Sequence, residues 1–294
     1  MNSQRYAVLG NPVAHSRSPF IHAEFARQTG EPVVYERLLC PLDGFAATVA
    51  AFAAAGGRGC SVTVPFKLQA RALATRCTPR ALLAGAANVL RFDAEGWLAD
   101  NTDGSGLVRD IENSGCKVLA GARVLLVGAG GAAAGVLGPL LAARPAAVVV
   151  VNRTASKAQA LVEAHAAWAS EHQVGLRAGG LEAAGLGHDV VLNASASSLQ
   201  GAPSPIAASA LGPSALVLDL MYGAAAEPFL RWAAEAGAVP RDGLGMLVEQ
   251  AAEAFFVWRG VRPQTAPVLE ALRLQLARER LGSGDRNGAA KAER

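Results

Sequence analysis

The sequence predicts a two-lobed α/β protein, and three observations carry that prediction. From Arg123 onward, short apolar runs alternate with helical segments, the rhythm of a parallel, doubly wound sheet. The run Val124 to Val127 ends in Gly128-Ala-Gly-Gly131 and passes into a small-residue helix, the form of a dinucleotide-binding, Rossmann-like turn. Ahead of Arg123 lies a separate set of strands and helices, and 294 residues suffice for two lobes. The expected division is an N-terminal α/β lobe over 1–106 and a cofactor-binding lobe over 107–242. Helices over 243–281 rejoin the first lobe, and 282–294 read as a polar, disordered tail.

Composition narrows the function. Hydrophobic residues make up 51% and charged residues 17%, a globular balance. A net charge of +3, with no basic run interleaved by aromatics, argues against a nucleic-acid surface. Four cysteines form no C-x-x-C pair and read as reduced thiols of a cytosolic protein. Residues 1–6 do not resemble a signal peptide. The most apolar region, 132–151, is broken by Arg144-Pro145, which argues against a membrane span. Five histidines show no metal-ligand spacing, so no metal is expected; His165 and His172 share a helix face and read as solvated surface. The expected setting is cytoplasmic, with a small-molecule substrate and a monomer or homodimer.

Taken in order, Tyr6 to Leu9 reads as a buried strand closed by Gly10-Asn-Pro12. Ser18-Pro19 opens a helix, with Ser at the N-cap and Pro in the first turn, running to Gly30. Ser18 as a cap alone satisfies the local pattern; alternatively Ser16, Ser18 and the helix end bind an anion such as a carboxylate. Val33 to Leu39 suits a second strand, and Asp43 caps a helix through Phe45, Val49 and Phe52. Cys60 to Val64 alternates as a strand and breaks at Pro65, so Lys67 opens a helix just past a strand end, where α/β folds place ligands. As a lone lysine it is equally a surface residue. Thr78-Pro79 starts another helix, and a hairpin of Val89–Phe92 with Trp97–Ala99 delivers Asp100-Asn-Thr-Asp-Gly104, either a ligand-facing turn or a plain helix cap. A connecting helix follows over 105–114. The second-lobe strands fall at 124–127, 147–151, 189–193 and 215–220, with a further one near 174–178. The stretch 196–213 reads as a loop with one helical turn. A long helix follows Asp242-Gly-Leu-Gly-Met246 and carries Gln250, and a last helix spans 267–281.

The glycine turn has separable duties: Gly128 permits the tight turn, Gly130 admits a pyrophosphate to the backbone, and Ala133 keeps helix close to strand. At the end of the next strand an NAD-specific site carries Asp or Glu for the ribose 2′-hydroxyl. Here stand Asn152, Arg153, Thr154 and Lys157, cationic instead, which favours a 2′-phosphate and hence NADP. Asn193-Ala-Ser195 ends another strand at the same edge.

Together the segments resemble the shikimate dehydrogenase family from Tyr6 to Leu281. The resemblance rests on Gly10-Asn-Pro-Val-Ala-His-Ser-Arg-Ser-Pro19, Val62-Thr-Val-Pro-Phe-Lys67, Ala84-Gly-Ala-Ala-Asn88, Asn101-Thr-Asp-Gly104, Gly128-Ala-Gly-Gly131, Asn152-Arg-Thr154 and Asp242-Gly-Leu-Gly-Met-Leu-Val-Glu-Gln250. It implies reversible NADPH-dependent reduction of 3-dehydroshikimate to shikimate, on the route to chorismate and aromatic amino acids. By motif match, Ser16 and Ser18 hold the substrate carboxylate with Thr63 and Tyr222, Asn88 and Gln250 hold ring hydroxyls, and Lys67 and Asp103 are the catalytic pair. NADP(H) is expected along Gly128, Ala129, Gly130, Gly131 and Ala132, then Asn152, Arg153, Thr154 and Lys157. It continues past Asn193, Ser195 and Leu220 to Gly243 and Met246.

That allocation makes chemical sense, because hydride delivery to a carbonyl leaves an alkoxide that a lysine ammonium protonates. Three positions depart from the family pattern: Ser61 stands where Asn is common before Val-Thr, Ala134 where the glycine loop often has a basic residue, and Ser195 where Thr is usual. Two alternatives stay open, a quinate/shikimate or aminoshikimate paralogue and a non-catalytic nucleotide sensor on the same scaffold. Gly104, Gly106 and Gly243 stand at the joins as candidate hinges.

Overall fold

The computed structural model describes residues 3–195 and 204–292, with side chains of the last helix described as far as Glu279. Two six-stranded sheets organise the chain. The first comprises β1 (Gln4–Gly10), β2 (Val33–Leu39), β3 (Gly57–Val62), β4 (Arg76–Cys77), β5 (Val89–Asp93) and β6 (Gly96–Asp100), in the order β2-β1-β3-β5-β6-β4. Its β1, β2 and β3 are parallel, whereas β5 runs antiparallel to β3 and β6. Helices α1 (Ser18–Thr29), α2 (Phe45–Ala54), α3 (Lys67–Leu73) and α4 (Pro79–Ala84) connect them. The strand period of two sends Ala7, Leu9, Cys60 and Val62 to a core with Phe45, Phe52 and Phe66. Tyr6 and Val89 turn to the opposite face, against Trp258.

After α5 (Asp103–Asn113) comes the second sheet: β7 (Arg123–Val127), β8 (Ala147–Val151), β9 (Gly175–Gly179), β10 (His188–Asn193), β11 (Leu211–Asp219) and β12 (Val239–Arg241). Every pairing is parallel, in the order β12-β11-β10-β7-β8-β9. Renumbered from its own first strand, this is the 3-2-1-4-5-6 order of a doubly wound dinucleotide fold, whose ligand crevice lies where the winding reverses, between β7 and β10. Val124 and Leu126 enter one core and Leu125 and Val127 another, so β7 is apolar throughout because both its faces are covered. Helices α6 (Gly131–Ala142), α7 (Ala155–Glu171) and α8 (Glu227–Glu235) flank this sheet. Finally α9 (Leu244–Arg259) and α10 (Ala266–Ala292) return to pack on α1 through Ile21, Phe25, Val248, Phe255 and Leu272.

Several local expectations change. Ser18 is the first residue of α1, not its cap; Arg17 holds that position, and Ser16 Oγ accepts the Ser18 N–H at 3.3 Å. Gly44, not Asp43, holds the cap position of α2, its carbonyl accepting the first helical N–H, from Thr48, at 2.9 Å. Thr78 caps α4 as expected, accepting from the Ala81 N–H at 3.3 Å. β11 starts at Leu211, inside the stretch read as loop, and residues 196–203 of that stretch lie outside the described residues. The helix α10 runs to Ala292, across the stretch 282–292 that the sequence reads as a tail. His165 is buried, not solvated: its Nδ1 lies 2.9 Å from the Leu161 carbonyl one turn back. Among the described residues no helix is long and apolar enough to cross a membrane, and no cluster of His, Cys, Asp or Glu is poised for a metal.

The glycines expected as hinges are closely packed. None of Gly104, Gly106 and Gly243 has a left-handed φ. A Cβ on Gly104 would lie 2.6 Å from the Gly135 carbonyl of α6, and one on Gly106 would lie 2.6 Å from the Gln250 backbone N of α9. These positions let α5 lie against two helices at once. The boundary drawn after residue 106 therefore falls inside a continuous, tightly gripped helix.

Candidate active site

Most of the expected site residues lie just past a strand end or in the first turn of the helix that follows. Lys67 opens α3, a few residues beyond β3, and Asp103 opens α5, directly after the turn leaving β6. They meet: Lys67 Nζ donates to Asp103 Oδ2 in a close ion pair, with side chains 20% and 8% exposed. The pair therefore sits at a boundary, shielded enough to be ordered and open enough to exchange a proton. The start of α5 also favours a carboxylate, since its free N–H groups carry partial positive charge.

Around the pair is a buried hydrogen-bonded cluster. Asn88 Nδ2 lies 2.8 Å from Asp103 Oδ1, 2.9 Å from Thr102 Oγ1 and 3.1 Å from Gln250 Oε1. The other end of the amide, Asn88 Oδ1, accepts the Thr102 N–H at 2.8 Å. Gln250 is turned by its own Nε2, which donates to the Leu247 carbonyl at 2.9 Å, so its carbonyl oxygen faces the cluster. One amide nitrogen has two hydrogens for those three acceptors, so lone pairs are in surplus here. Such a wall suits a ligand rich in hydroxyl donors, and the lysine is the cation placed to give a proton.

The turn presenting Asp103 is pinned from below. Asp100 is buried and accepts both Nε and Nη2 of Arg80 at 2.6 Å, the Thr78 hydroxyl at 2.6 Å and the Asn101 N–H at 2.7 Å. Arg80 Nη1 reaches on to Glu253 of α9 at 3.0 Å and to Ser105 Oγ at 2.9 Å. One guanidinium thus ties the Asp103 turn to the helix bearing Gln250. Asn101 and Thr102 carry this architecture and were assigned no role from sequence, although both stand in the Asn-Thr-Asp-Gly motif.

Ser16 and Ser18 form a separate group, with no hydrogen bond to the Lys67 cluster among the described residues. The Ser16 hydroxyl donates to Ser18 Oγ at 3.2 Å. Thr63 packs its methyl group against Gly10, where a Cβ would not fit. Tyr222 packs against the core that α1 shares with α9, and burial pushes its phenol up while the nearby Arg17 guanidinium opposes that. Arg17 itself is held by Glu279 of α10 through two bonds of 2.8 and 2.6 Å.

On the other side lies the glycine turn that follows β7. Gly128 has φ +114°, and a Cβ there would lie 2.9 Å from the Ala194 backbone. Gly130 and Gly131 are exposed, and a Cβ on either would meet nothing within 4 Å. That open space over the free N–H groups of α6 fits a diphosphate. Ala133 is buried against the sheet, while Ala129 and Ala132 are half-buried. The turn's helix also reaches the Lys67–Asp103 pair, since a Cβ on Gly135 would lie 3.2 Å from Asp103 Oδ2.

Past β8, Asn152 Nδ2 donates to the Thr154 carbonyl at 3.0 Å and shapes the turn. Arg153, Thr154 and Lys157 are exposed, and neither cation has an ion-pair partner among the described residues. Two unpaired cations beside the second strand fit a 2′-phosphate and leave nothing to accept a ribose hydroxyl as a carboxylate would. Asn193 is fully buried; it donates to Asp219 at 3.0 Å and accepts from the Ser195 hydroxyl at 2.7 Å, so it braces the β10 exit. Leu220 and Gly243 meet backbone to backbone, and Met246 is buried in the second-lobe core beside them.

Residues 8–90 match the shikimate dehydrogenase substrate binding domain, 110–199 the shikimate / quinate 5-dehydrogenase family, and 243–273 the shikimate 5′-dehydrogenase C-terminal domain. The chain is 64% identical to a shikimate dehydrogenase (NADP(+)) of Methylibium petroleiphilum, over 92% of this chain and 94% of that one. It is 60% identical to the same enzyme of Acidovorax sp. JS42, over 92% and 96%. Among solved structures it superimposes on an Ael1 enzyme of Pseudomonas putida with TM-score 0.85 and 46% identity, covering 92% and 98%. It also superimposes on the Thermus thermophilus shikimate 5-dehydrogenase in complex with NADP(H) and shikimate, with TM-score 0.78 and 32% identity, covering 92% and 98%. The chain belongs to the shikimate dehydrogenase family.

Proposed function

We propose that this protein catalyses the reversible, NADPH-dependent reduction of 3-dehydroshikimate to shikimate, on the route to chorismate and aromatic amino acids. The observation that carries the reading is the Lys67–Asp103 ion pair, set in an acceptor-rich cluster against the helix of the glycine turn. Ring hydroxyls donate to Asp103, to Gln250 Oε1 and to the Asn88–Thr102 group, which fixes the ring face. Ser16 and Ser18 donate to the carboxylate, with Thr63 and Tyr222 beside them. NADPH, when bound along Gly130 and Gly131 with its 2′-phosphate at Arg153 and Lys157, supplies a hydride to the ring carbonyl carbon.

The remaining work belongs to the protein. Lys67 points its ammonium at the carbonyl oxygen and donates a proton as negative charge grows there, an effect typically worth roughly 10²–10⁴ in rate. Asp103 aims the ammonium and stabilises its charge. In the oxidative direction neutral Lys67 takes the hydroxyl proton and returns it to water along its exposed side. A non-catalytic sensor would have no need of this pair, which disfavours that alternative.

The lobe of 1–106 with the closing helices 243–281 holds substrate, and 107–242 holds cofactor. The setting is cytoplasmic, as a monomer or homodimer. The test is direct: folded protein with shikimate and NADP+ generates NADPH absorbance, and its failure to do so refutes the proposal. Specificity constants for shikimate and quinate separate the paralogue reading.

A further inference from the structure

Resting on the proposed function, the substrate brings a carboxylate to Ser16 and Ser18, whose hydroxyls are neutral donors. The two cations already placed nearby are spent on other partners: Arg17 on Glu279 through bonds of 2.8 and 2.6 Å, and Lys67 on Asp103. Arg37, which no motif singled out, is differently placed. It stands on β2, an edge strand, whose period of two puts it on the same face as Tyr35. That face meets α1, since the Tyr35 ring stacks on His22 with centroids 4.1 Å apart.

Nearer the carboxyl end of the strand, Arg37 passes the start of α1 and meets the backbone ahead of it. Its Nε and Nη2 both donate to the Ser16 carbonyl, at 3.0 and 2.6 Å. This carbonyl lies outside the helix, where the Arg17 carbonyl accepts the Ile21 N–H at 3.1 Å. Ser16 is fixed at its other backbone group too, its N–H donating to the Val13 carbonyl at 3.0 Å. The neighbouring Glu36 alternates to the opposite face and pairs with Arg5 at 2.8 Å. Among the described residues no carboxylate lies within ion-pair distance of Arg37.

A carbonyl is a neutral acceptor, so the guanidinium keeps its charge within one residue's span of the Ser16 hydroxyl. An anion accepting from that hydroxyl falls inside the Debye length of about 10 Å at 0.1 M salt and is attracted. Arg37 is exposed, so the attraction is that of a charge in contact with water: modest, and weakened by salt.

We propose that Arg37 is a positioning residue for the substrate carboxylate: its fork anchors the Ser16 backbone, and its uncompensated charge beside the two serine hydroxyls favours an anionic ligand. No contact between Arg37 and the carboxylate is required, because the charge acts across the residue it holds.

The test is Arg37→Gln, which keeps a donor for the Ser16 carbonyl and removes the charge. At about 0.02 M salt its KM for shikimate should stand about two- to fivefold above wild type, with kcat and the KM for NADP+ within about twofold. At about 0.5 M salt, where screening shortens to a few ångströms, the two shikimate KM values should converge. Arg37→Lys keeps the charge and should stay within about twofold of wild type at low salt. A KM offset that salt does not close would mean a structural role and overturn the proposal, as would an Arg37→Lys as impaired as Arg37→Gln. A wild-type protein inactive on shikimate overturns the functional reading and this role with it. An active wild type with an indifferent Arg37→Gln overturns the role alone.

Discussion

Two neighbouring glycines should answer oppositely to the same added methyl group. Gly128→Ala places a side chain at φ +114° and 2.9 Å from the Ala194 backbone. The left-handed conformation costs about 1–2 kcal/mol and the crowding about 1–3 more, together about 2–5 kcal/mol. At roughly 2–4 °C per kcal/mol for a chain of this size class, melting should fall by roughly 4–20 °C. Gly130→Ala meets nothing within 4 Å, and its φ of −95° is one that alanine adopts freely. Stability should stay within about 0.5 kcal/mol of wild type. What it loses is room: the methyl occupies the space where a diphosphate approaches the N–H groups of α6. Forfeiting one charge-assisted hydrogen bond costs about 1.5–3 kcal/mol, so the Kd for NADP+ should rise by about ten- to a hundredfold. Thermal unfolding and titration calorimetry on both variants read these quantities separately. Wild-type NADP+ affinity in Gly130→Ala, or wild-type stability in Gly128→Ala, would refute the division of labour.

Further outcomes follow from other parts of the site. Lys67→Ala should lower shikimate oxidation by about 10²–10⁴ while leaving the NADP+ Kd nearly unchanged; parallel loss of both in steady-state and binding assays would assign the residue to cofactor binding or folding. Arg153→Ala should weaken NADP+ by about tenfold or more with NAD+ little affected, and an unchanged ratio of the two specificity constants would contradict a 2′-phosphate contact. Burial holds His22 neutral, with its pKa lowered from 6.5 to about 3, so the native state resists a proton that the unfolded chain accepts. Its contribution is complete above pH 6.5 and is lost as pH falls towards 3, at about 1.4 kcal/mol per unit. His22→Phe should therefore shrink the drop in urea stability between pH 7 and pH 5 by about 2 kcal/mol, and an unaltered drop would show that the ring is protonated in the fold. Arg80→Met leaves Asp100 buried without its cation and should cost about 3–5 kcal/mol; a melting temperature near wild type would mean that water replaces the guanidinium.

Local pattern made the second lobe legible, since each of β7, β8 and β10 is a short apolar run with a polar residue or glycine at its carboxyl end. β4 and β12 were not legible, for different reasons. Arg76–Cys77 is too short to show any period, and Val239-Pro-Arg241 contains a proline, which reads as a break and is tolerated because β12 is an edge strand. At the site, Lys67 and Asp103 could be named because each follows a strand end, but their contact depends on bringing together segments thirty-six residues apart. Arg80 and Arg37 left no sequence signal, since an arginine after Thr-Pro and another in an edge strand are unremarkable until their partners appear. Gly104 and Gly106 stand in tight contact with neighbouring helices, a packing role the sequence does not reveal, because glycine serves equally for freedom and for close approach.

The grip on α5 from both sides sets a limit on how this protein is divided, in evolution or in the laboratory. Asp103 begins a helix whose Gly104 lies against one lobe's helix and whose Gly106 lies against the backbone that carries Gln250. A carboxylate mounted on such a shared beam belongs to neither half, so exchanging lobes between relatives transplants Asp103 with its surroundings only if both facing helices travel with it.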